Sequence, residues 1–229
     1  MSRPSTRRFL RDNSLALVFG LLFLIALAGQ AIAGHADFNS QQRTDGLTPI
    51  SMGRYLTSSS FAVDVAENWQ SEYLQFFLYI MLTVWLLHRG SPESKSLDKP
   101  GRESDQDEHV GAYAQPDSPK WARAGGWRQA LLSNSLGLVM GLIFVLSWLA
   151  QSVAGVSAFN ERQLSQLQSP VTWGKYLIEP DFWDRTLQNW QSELLAVASM
   201  TILAVYLRQR GSPESKPVGA PHSSTGVEN

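Results

Sequence analysis

The 229-residue chain contains no cysteine, which excludes disulfides, thiolate metal sites and cysteine nucleophiles. Its four histidines are too scattered to form a ligand cluster, and no phosphate-binding loop, nucleophile elbow or zinc-protease pattern occurs. A formal net charge of −1 leaves no basic excess for nucleic acid. We therefore predict no catalytic residue, metal, cofactor or nucleic-acid partner, and we expect a protein that is not an enzyme.

Long apolar runs are abundant instead, and their length suits a lipid bilayer, which a helix of about 20 apolar residues crosses. The predicted membrane spans cover about residues 14–34, 69–88, 135–155 and 190–208. The first run also resembles a secretory signal peptide, with Ala31-Ile32-Ala33 as a cleavage site. A similar run in mid-chain, where a signal peptide has no role, favours a membrane span.

The sequence is duplicated. A shift of 121 residues overlays residues 13–95 on 134–216 without a gap, and Asn68-Trp69-Gln70-Ser71-Glu72 returns as Asn189-Trp190-Gln191-Ser192-Glu193. A repeat of this length indicates a duplicated unit rather than a solenoid. The predicted organisation is repeat 1 (1–95), a flexible cytoplasmic linker (96–126), repeat 2 (127–216) and a disordered tail (217–229).

Each repeat has two predicted spans, so both copies cross the membrane in the same direction. The predicted fold is all-α: an integral membrane four-helix bundle of two parallel repeats, related by a pseudo-two-fold axis along the membrane normal. Lysine and arginine are concentrated near both termini and in the linker, and are sparse in residues 34–68 and 155–189. The positive-inside rule then places both termini in the cytoplasm.

Several duplicated motifs resemble a bacterial family of two-repeat, four-helix membrane proteins that is classed as a domain of unknown function. They are Arg11-Asp12-Asn13-Ser14-Leu15, Gly53-Arg54-Tyr55-Leu56, the Asn-Trp-Gln-Ser-Glu stretch and Arg89-Gly90-Ser91-Pro92-Glu93-Ser94-Lys95, with their second copies. The resemblance covers most of the chain apart from the linker and the tail. It implies a multi-pass protein of the bacterial inner membrane, and it carries no activity to transfer.

Helix rise predicts one polar layer in the outer part of the bundle. Gln30 lies 17 residues after Asn13 and Glu72 lies 17 residues before Arg89, which is about 25 Å from the cytoplasmic boundary at 1.5 Å per residue. The second copy has the same spacing. The layer contains Gln30, Glu72, Gln151 and Glu193, with Asn68, Trp69, Asn189 and Trp190 one turn further out.

Two kinds of role fit such a layer. In a structural role, Gln–Glu hydrogen bonds would fix helix register, or each glutamate would lie near the N-terminal end of its helix, in contact with water, where a carboxylate is tolerated. A partly desolvated carboxylate would instead serve as a proton or cation site. We expect the first, in a structural or envelope-associated membrane protein. The alternative is a small transporter or channel that uses Glu72 and Glu193.

Three local features complete the expectations. Ser51 and Ser60 are the predicted N-caps of a short helix over 52–56 and of a longer one. The small pairs Ala16/Gly20 and Gly137/Gly141 predict close approach of the first and third spans. We expect the copied segments 89–95 and 210–216 to fold back on the helix ends, or to bind a cytoplasmic partner or a second copy of the chain.

Overall fold

Helices are the regular secondary structure of the chain. The computed structural model describes residues 6–226, and no strand occurs within that range. The expected all-α class is therefore confirmed. The α-helices of the described range are α1 (Thr6–Asp12), α2 (Ser14–Thr44), α3 (Met52–Leu56), α4 (Ser59–Leu82), α5 (Lys120–Ala124), α6 (Gly126–Ser133), α7 (Ser135–Ser165), α8 (Trp173–Tyr176) and α9 (Pro180–Tyr206).

Helices from the two sequence copies begin at matching positions. Helices α2 and α7 begin 121 residues apart, at Ser14 and Ser135, and end 121 residues apart, at Thr44 and Ser165. Helices α8 and α9 likewise begin 121 residues after α3 and α4. Equivalent stretches of sequence therefore adopt the same local structure.

Two of these helices, α2 and α7, are long and apolar enough to cross a membrane. Each has 31 residues, and their most apolar 18-residue windows have mean hydropathies of 2.5 and 2.0. A helix of that length is about 46 Å long, so it extends beyond a hydrocarbon core of about 30 Å. The predicted spans at 14–34 and 135–155 lie inside α2 and α7, while those at 69–88 and 190–208 stay predictions.

The predicted helix starts are partly confirmed. Ser51 caps α3, because its hydroxyl accepts a hydrogen bond from the Arg54 backbone N–H at 3.4 Å. The cap predicted at Ser60 is wrong. The Ser58 hydroxyl instead accepts from the Phe61 N–H at 3.2 Å, and it donates to the Tyr55 carbonyl at 2.6 Å. Contact with the preceding short helix therefore selects Ser58 from a run of hydroxyl residues.

Helix α4 ends at Leu82, well before the predicted limit of residue 88. The Thr83 hydroxyl donates to the Tyr79 carbonyl at 2.7 Å, and the Gly101 N–H donates to the Val84 carbonyl at 2.8 Å. A threonine hydroxyl that bonds a helix carbonyl competes with the backbone hydrogen bonds of the helix. The N–H of Gly101, from the linker, then bonds the Val84 carbonyl. Residues 83–89 are not helical, so the rise of 1.5 Å per residue does not hold from Arg89 back to Glu72.

The described chain divides into two compact units, of which the first contains residues 6–64 and 154–171. Its core is the Tyr55 side chain, which is only 2 % exposed. The rings of His35, Phe38 and Phe61 surround it with centroids 5.4–5.7 Å away. Gly34 lies directly against the Tyr55 hydroxyl, because a Cβ at this glycine would overlap that oxygen.

Two asparagines in this unit close the loops that follow α2 and α7. The Asn39 side chain donates to the Ile50 carbonyl at 2.9 Å and accepts from the Ile50 N–H at 2.7 Å. Asn160 makes the same pair of bonds with Val171, at 2.9 and 2.7 Å. A side-chain amide has both donor and acceptor groups, so it bonds the backbone N–H and C=O of one residue as a neighbouring strand would. This function explains why asparagine occurs at both positions.

The second unit contains residues 65–153 and 172–226, with most of α4, α7 and α9. Residues 96–126, predicted to be a flexible linker, form turns, a 3-10 helix at Gly111–Tyr113 and helix α5. The Arg123 guanidinium bonds the carbonyls of Pro116 and Ser118 at 2.7 and 2.8 Å. The flexibility of this segment stays a prediction.

Candidate functional site

A buried hydrogen bond joins α4 to α9 in the second unit. The Trp190 indole N–H donates to the Gln70 side-chain carbonyl at 2.7 Å, and Gln70 is completely buried. Both residues come from the duplicated Asn-Trp-Gln-Ser-Glu stretch. The tryptophan of the second copy therefore bonds the glutamine of the first, a pairing between non-equivalent positions.

The Thr186 hydroxyl of α9 joins α7 to the same interface. It accepts from the Gln151 amide at 3.3 Å and from the Trp148 indole N–H at 3.4 Å. Gln151 and Thr186 are both 0 % exposed. Aromatic rings surround these polar groups: Trp148 stacks on Phe144, with centroids 5.7 Å apart, and its centroid lies 5.8 Å from that of Trp190. The polar contacts are thus shielded from solvent on this side.

An ion pair lies beside these buried bonds, one turn before Gln70 on α4 and next to Thr186 on α9. Arg185 of α9 contacts Glu67 of α4, with Nη1 and Oε2 2.9 Å apart, and its Nε lies 3.7 Å from an Asp181 oxygen. The side chains of Arg185 and Glu67 are only 26 % and 16 % exposed. The Arg185 guanidinium is thereby shared between Glu67 of α4 and Asp181 in the first turn of α9.

The predicted polar layer is only partly brought together. Gln151 and Trp190 lie in the interface, but Gln151 bonds Thr186 and not Glu193. Thr186 precedes Glu193 by seven residues, which is about 10 Å along a helix, so the predicted Gln151–Glu193 pair does not form. Glu193 is half-buried, and its backbone carbonyl accepts a hydrogen bond from Gln75 of α4 at 3.3 Å.

The other residues of the predicted layer lie elsewhere. Asn68, Trp69 and Glu72 are exposed on α4. Asn189 donates within its own helix, to the Arg185 carbonyl at 2.8 Å. Gln30 belongs to the first unit, and its pairing with Glu72 stays a prediction. Thr186 and Gln70 carry the buried interface instead, and neither belongs to the predicted layer.

The small residues of α7 pack against α4. A Cβ at Gly141 would lie 3.0 Å from the Phe77 ring, and one at Gly137 would lie 3.2 Å from the Met81 sulfur. Gly137 and Gly141 thus lie against bulky side chains of α4, and their packing against the first span stays a prediction. No described atom lies within 4 Å of a Cβ at Gly20, and a packing role for Ala16 stays a prediction.

The two copied segments after α4 and α9 form the same turn. The hydroxyls of Ser94 and Ser215 each accept from a backbone N–H six residues earlier, both at 2.9 Å. Gly90 and Gly211 have φ angles of +85° and +83°, which glycine adopts most readily. The first segment folds back on its helix, since the Tyr79 hydroxyl donates to Glu93. A cytoplasmic partner or a second chain at 89–95 and 210–216 stays a prediction.

Lys216 ties the second segment to the first. Its ammonium group donates to the Gly90 carbonyl at 2.6 Å and to the carbonyls of His222 and Ser224 at 3.0 and 3.1 Å. The residue is only 4 % exposed. A disordered tail does not account for these contacts with residues 222–224, and residues 227–229 lie outside the described range.

Comparison with known proteins gives one match. A family described as "Domain of unknown function (DUF6766)" matches residues 6–227. No curated protein and no solved structure matches the chain.

Proposed function

The chain belongs to the DUF6766 family, and we propose that it is a non-enzymatic membrane protein with a structural or envelope-associated role. The observation that carries this proposal is the buried bond between Trp190 and Gln70, at 2.7 Å. The buried polar side chains of α4, α7 and α9 described above bond each other across the helices. In a membrane such contacts hold helices in register.

We further propose that the protein has four spans, in two parallel repeats related by a pseudo-two-fold axis along the membrane normal, in a bacterial inner membrane. The apolar helices α2 and α7 support the first and third spans. The helix starts that recur 121 residues apart support the repeat. Basic residues near the termini and in the linker support a cytoplasmic location for both ends.

Single cysteines test this topology without background labelling, because the chain has no cysteine. We expect a membrane-impermeant maleimide to label Thr48→Cys and Ser169→Cys on intact spheroplasts, since both lie in proposed external loops. We expect Ala112→Cys in the linker to be labelled only after lysis. All three positions are exposed.

Ala112→Cys is the discriminating variant. If α4 does not cross the membrane, residues 48 and 112 lie on the same side, and Ala112→Cys is labelled on intact spheroplasts. That outcome would refute four spans. A denatured sample of each variant, labelled in full, controls for the reactivity of the thiol.

A second candidate function is a small transporter or channel for protons or cations. The contact between the Gln75 amide and the Glu193 carbonyl, 3.3 Å apart, favours it because α4 and α9 are adjacent near Glu193. Glu72 lies one helical turn before Gln75 and is exposed. Carboxylates on neighbouring membrane helices are the groups that proton and cation pathways use.

Flux measurements separate the two candidates. From the structural role, we expect proteoliposomes to show no proton or potassium flux above that of empty vesicles under either gradient. A flux that disappears in the double variant Glu72→Gln/Glu193→Gln, with an unchanged melting curve, would establish the transporter instead. Glu108→Gln, a change at an exposed linker residue, is the matched control and should leave the flux unchanged.

A further inference from the structure

We infer that a cavity between α4 and α9 binds an organic ammonium cation that carries an apolar group. This inference goes beyond the structural role and does not depend on the number of spans. The cavity has a volume of about 300 Å³. Its lining consists of two sets of four residues that are 121 positions apart: Gln75, Phe76, Tyr79 and Glu93, and Ala196, Val197, Met200 and Glu214.

This correspondence indicates that both sequence copies build one site. Each of the four positions in the first copy has its counterpart in the lining, although the residue type differs at three of them. Glutamate is the type that both copies share, at Glu93 and Glu214. The shared feature of the cavity is therefore a pair of carboxylates, one from each copied turn.

The charge of the cavity favours a cation. Glu93 and Glu214 are its only charged lining residues, and neither forms an ion pair with another residue in the range 6–226. The lysines two residues later are bound elsewhere: Lys95 pairs with Glu103, and Lys216 bonds the Gly90 carbonyl. Within residues 6–226, the cavity therefore holds two carboxylates without a paired cation: Glu93 is half-buried and Glu214 is exposed.

The remaining lining favours an organic cation over a metal ion. Phe76 and Tyr79 offer aromatic rings, which attract ammonium groups, and the Tyr79 hydroxyl holds Glu93 by a hydrogen bond. Ala196, Val197 and Met200 complete an apolar wall. A calcium ion needs six to eight oxygen ligands, and the described part of the chain has no group of three or more His, Asp or Glu side chains that could hold a metal.

A neighbouring cavity accommodates the apolar part of the ligand. It has a volume of about 210 Å³ and shares Gln75, Tyr79, Glu93 and Val197 with the first cavity. Leu78 and Leu82 of α4, with Leu86 and Leu87 beyond its end, form much of its wall. An ammonium group beside Glu93 and Glu214 therefore has an apolar space within reach, and the combined volume is in the range of small-ligand sites, about 300–1,000 Å³.

Benzyltrimethylammonium is a suitable probe, because it combines a quaternary ammonium with an aromatic group. We expect saturable binding to the full chain in a neutral detergent, measured by equilibrium dialysis. Neopentylbenzene, the uncharged hydrocarbon of nearly the same shape, should not displace it. The absence of saturable binding, or equal displacement by the hydrocarbon, would overturn the inference.

Variants locate the probe. Glu93→Gln and Glu214→Gln should each weaken binding about tenfold or more, as loss of a close charge partner does, whereas Glu108→Gln should not. Ala196→Phe fills the cavity without changing its charge and should abolish binding. Near-ultraviolet circular dichroism checks that each variant is folded. Unchanged affinity in folded Glu93→Gln and Glu214→Gln variants would contradict the assigned site.

A competition experiment identifies the source of the ammonium group. In mixed micelles, displacement of the probe by phosphatidylethanolamine but not by phosphatidylglycerol assigns a lipid headgroup. Displacement by neither lipid assigns a free organic cation. Equal displacement by both lipids would contradict recognition of the ammonium group and overturn the inference.

Discussion

Replacing Trp190 with phenylalanine is expected to lower the free energy of unfolding by about 2 kcal/mol, the cost of leaving a buried polar group unpaired. The ring is largely retained, so the main loss is the indole N–H that bonds the Gln70 carbonyl at 2.7 Å. Gln70 is 0 % exposed, and water cannot replace the lost donor.

The expected loss exceeds the average of about 0.6 kcal/mol for hydrogen bonds between membrane helices. In those proteins the unfolded state within the membrane also finds partners for such groups. Here the Gln70 amide nitrogen already has no hydrogen-bond partner among the described residues, so the side chain has no second bond to hold it. Both ends of the amide would then be unpaired in the interface.

A double-mutant cycle tests this explanation, measured by equilibrium unfolding in mixed micelles. Trp190→Phe combined with Gln70→Leu should recover most of the loss, because removing both polar partners leaves nothing unpaired. Trp127→Phe is the control, since Trp127 is 67 % exposed, and its effect should stay within about 0.5 kcal/mol. Additive effects of Trp190→Phe and Gln70→Leu would show that the two side chains do not interact.

The second large effect is expected for Gly34→Ala, which should destabilise the protein by about 2 kcal/mol, within the usual cost of overpacking a core. The new Cβ would overlap the Tyr55 hydroxyl oxygen, much closer than the 3.0 Å below which Cβ atoms in proteins essentially never approach another heavy atom. Tyr55 is 2 % exposed and is packed among His35, Phe38 and Phe61. It has little room to move away.

The phenol also stays neutral at ordinary pH. Burial raises the pKa of Tyr55, and the nearby carboxylates of Asp64 and Asp37 raise it further. A raised pKa means that the folded protein favours the protonated phenol. Stability from this group is therefore complete below the usual tyrosine pKa of about 10 and is lost as the pH rises through the higher value in the folded state. The test of Gly34→Ala at pH 7 is unaffected by ionisation.

Two further variants make the Gly34 test specific. Tyr55→Phe removes the overlapping oxygen and leaves the ring carbon Cζ 3.2 Å from the new Cβ, so it should restore part of the stability of Gly34→Ala. Gly20→Ala is the control in the same helix, where no described atom lies within 4 Å of the Cβ. It should be neutral or stabilising by up to about 1 kcal/mol from helix propensity. Equal effects of Gly34→Ala and Gly20→Ala would refute the overlap.

Only some features of the candidate site could be predicted from the sequence. Helix rise predicts Gln151 in the polar layer and Trp190 one turn further out, and both lie in the interface. Gln70 lies in the same duplicated stretch as Trp190, but neither the repeat nor helix rise indicates that non-equivalent positions bond. Thr186 shows no signal at all, because a single threonine near a helix start is common in any sequence.

Sequence alone determined the all-helical class, the start of α3 and the 121-residue spacing between the copies. Helical periodicity, apolar length and capping residues act within a few turns of chain, so α3 begins after Ser51, and α2 and α7 begin 121 residues apart. Tertiary structure decided which side chains meet. The rotation and offset of packed helices depend on large side chains such as Phe77 and Met81 fitting against Gly141 and Gly137. These contacts join residues distant in sequence, and no local pattern encodes them.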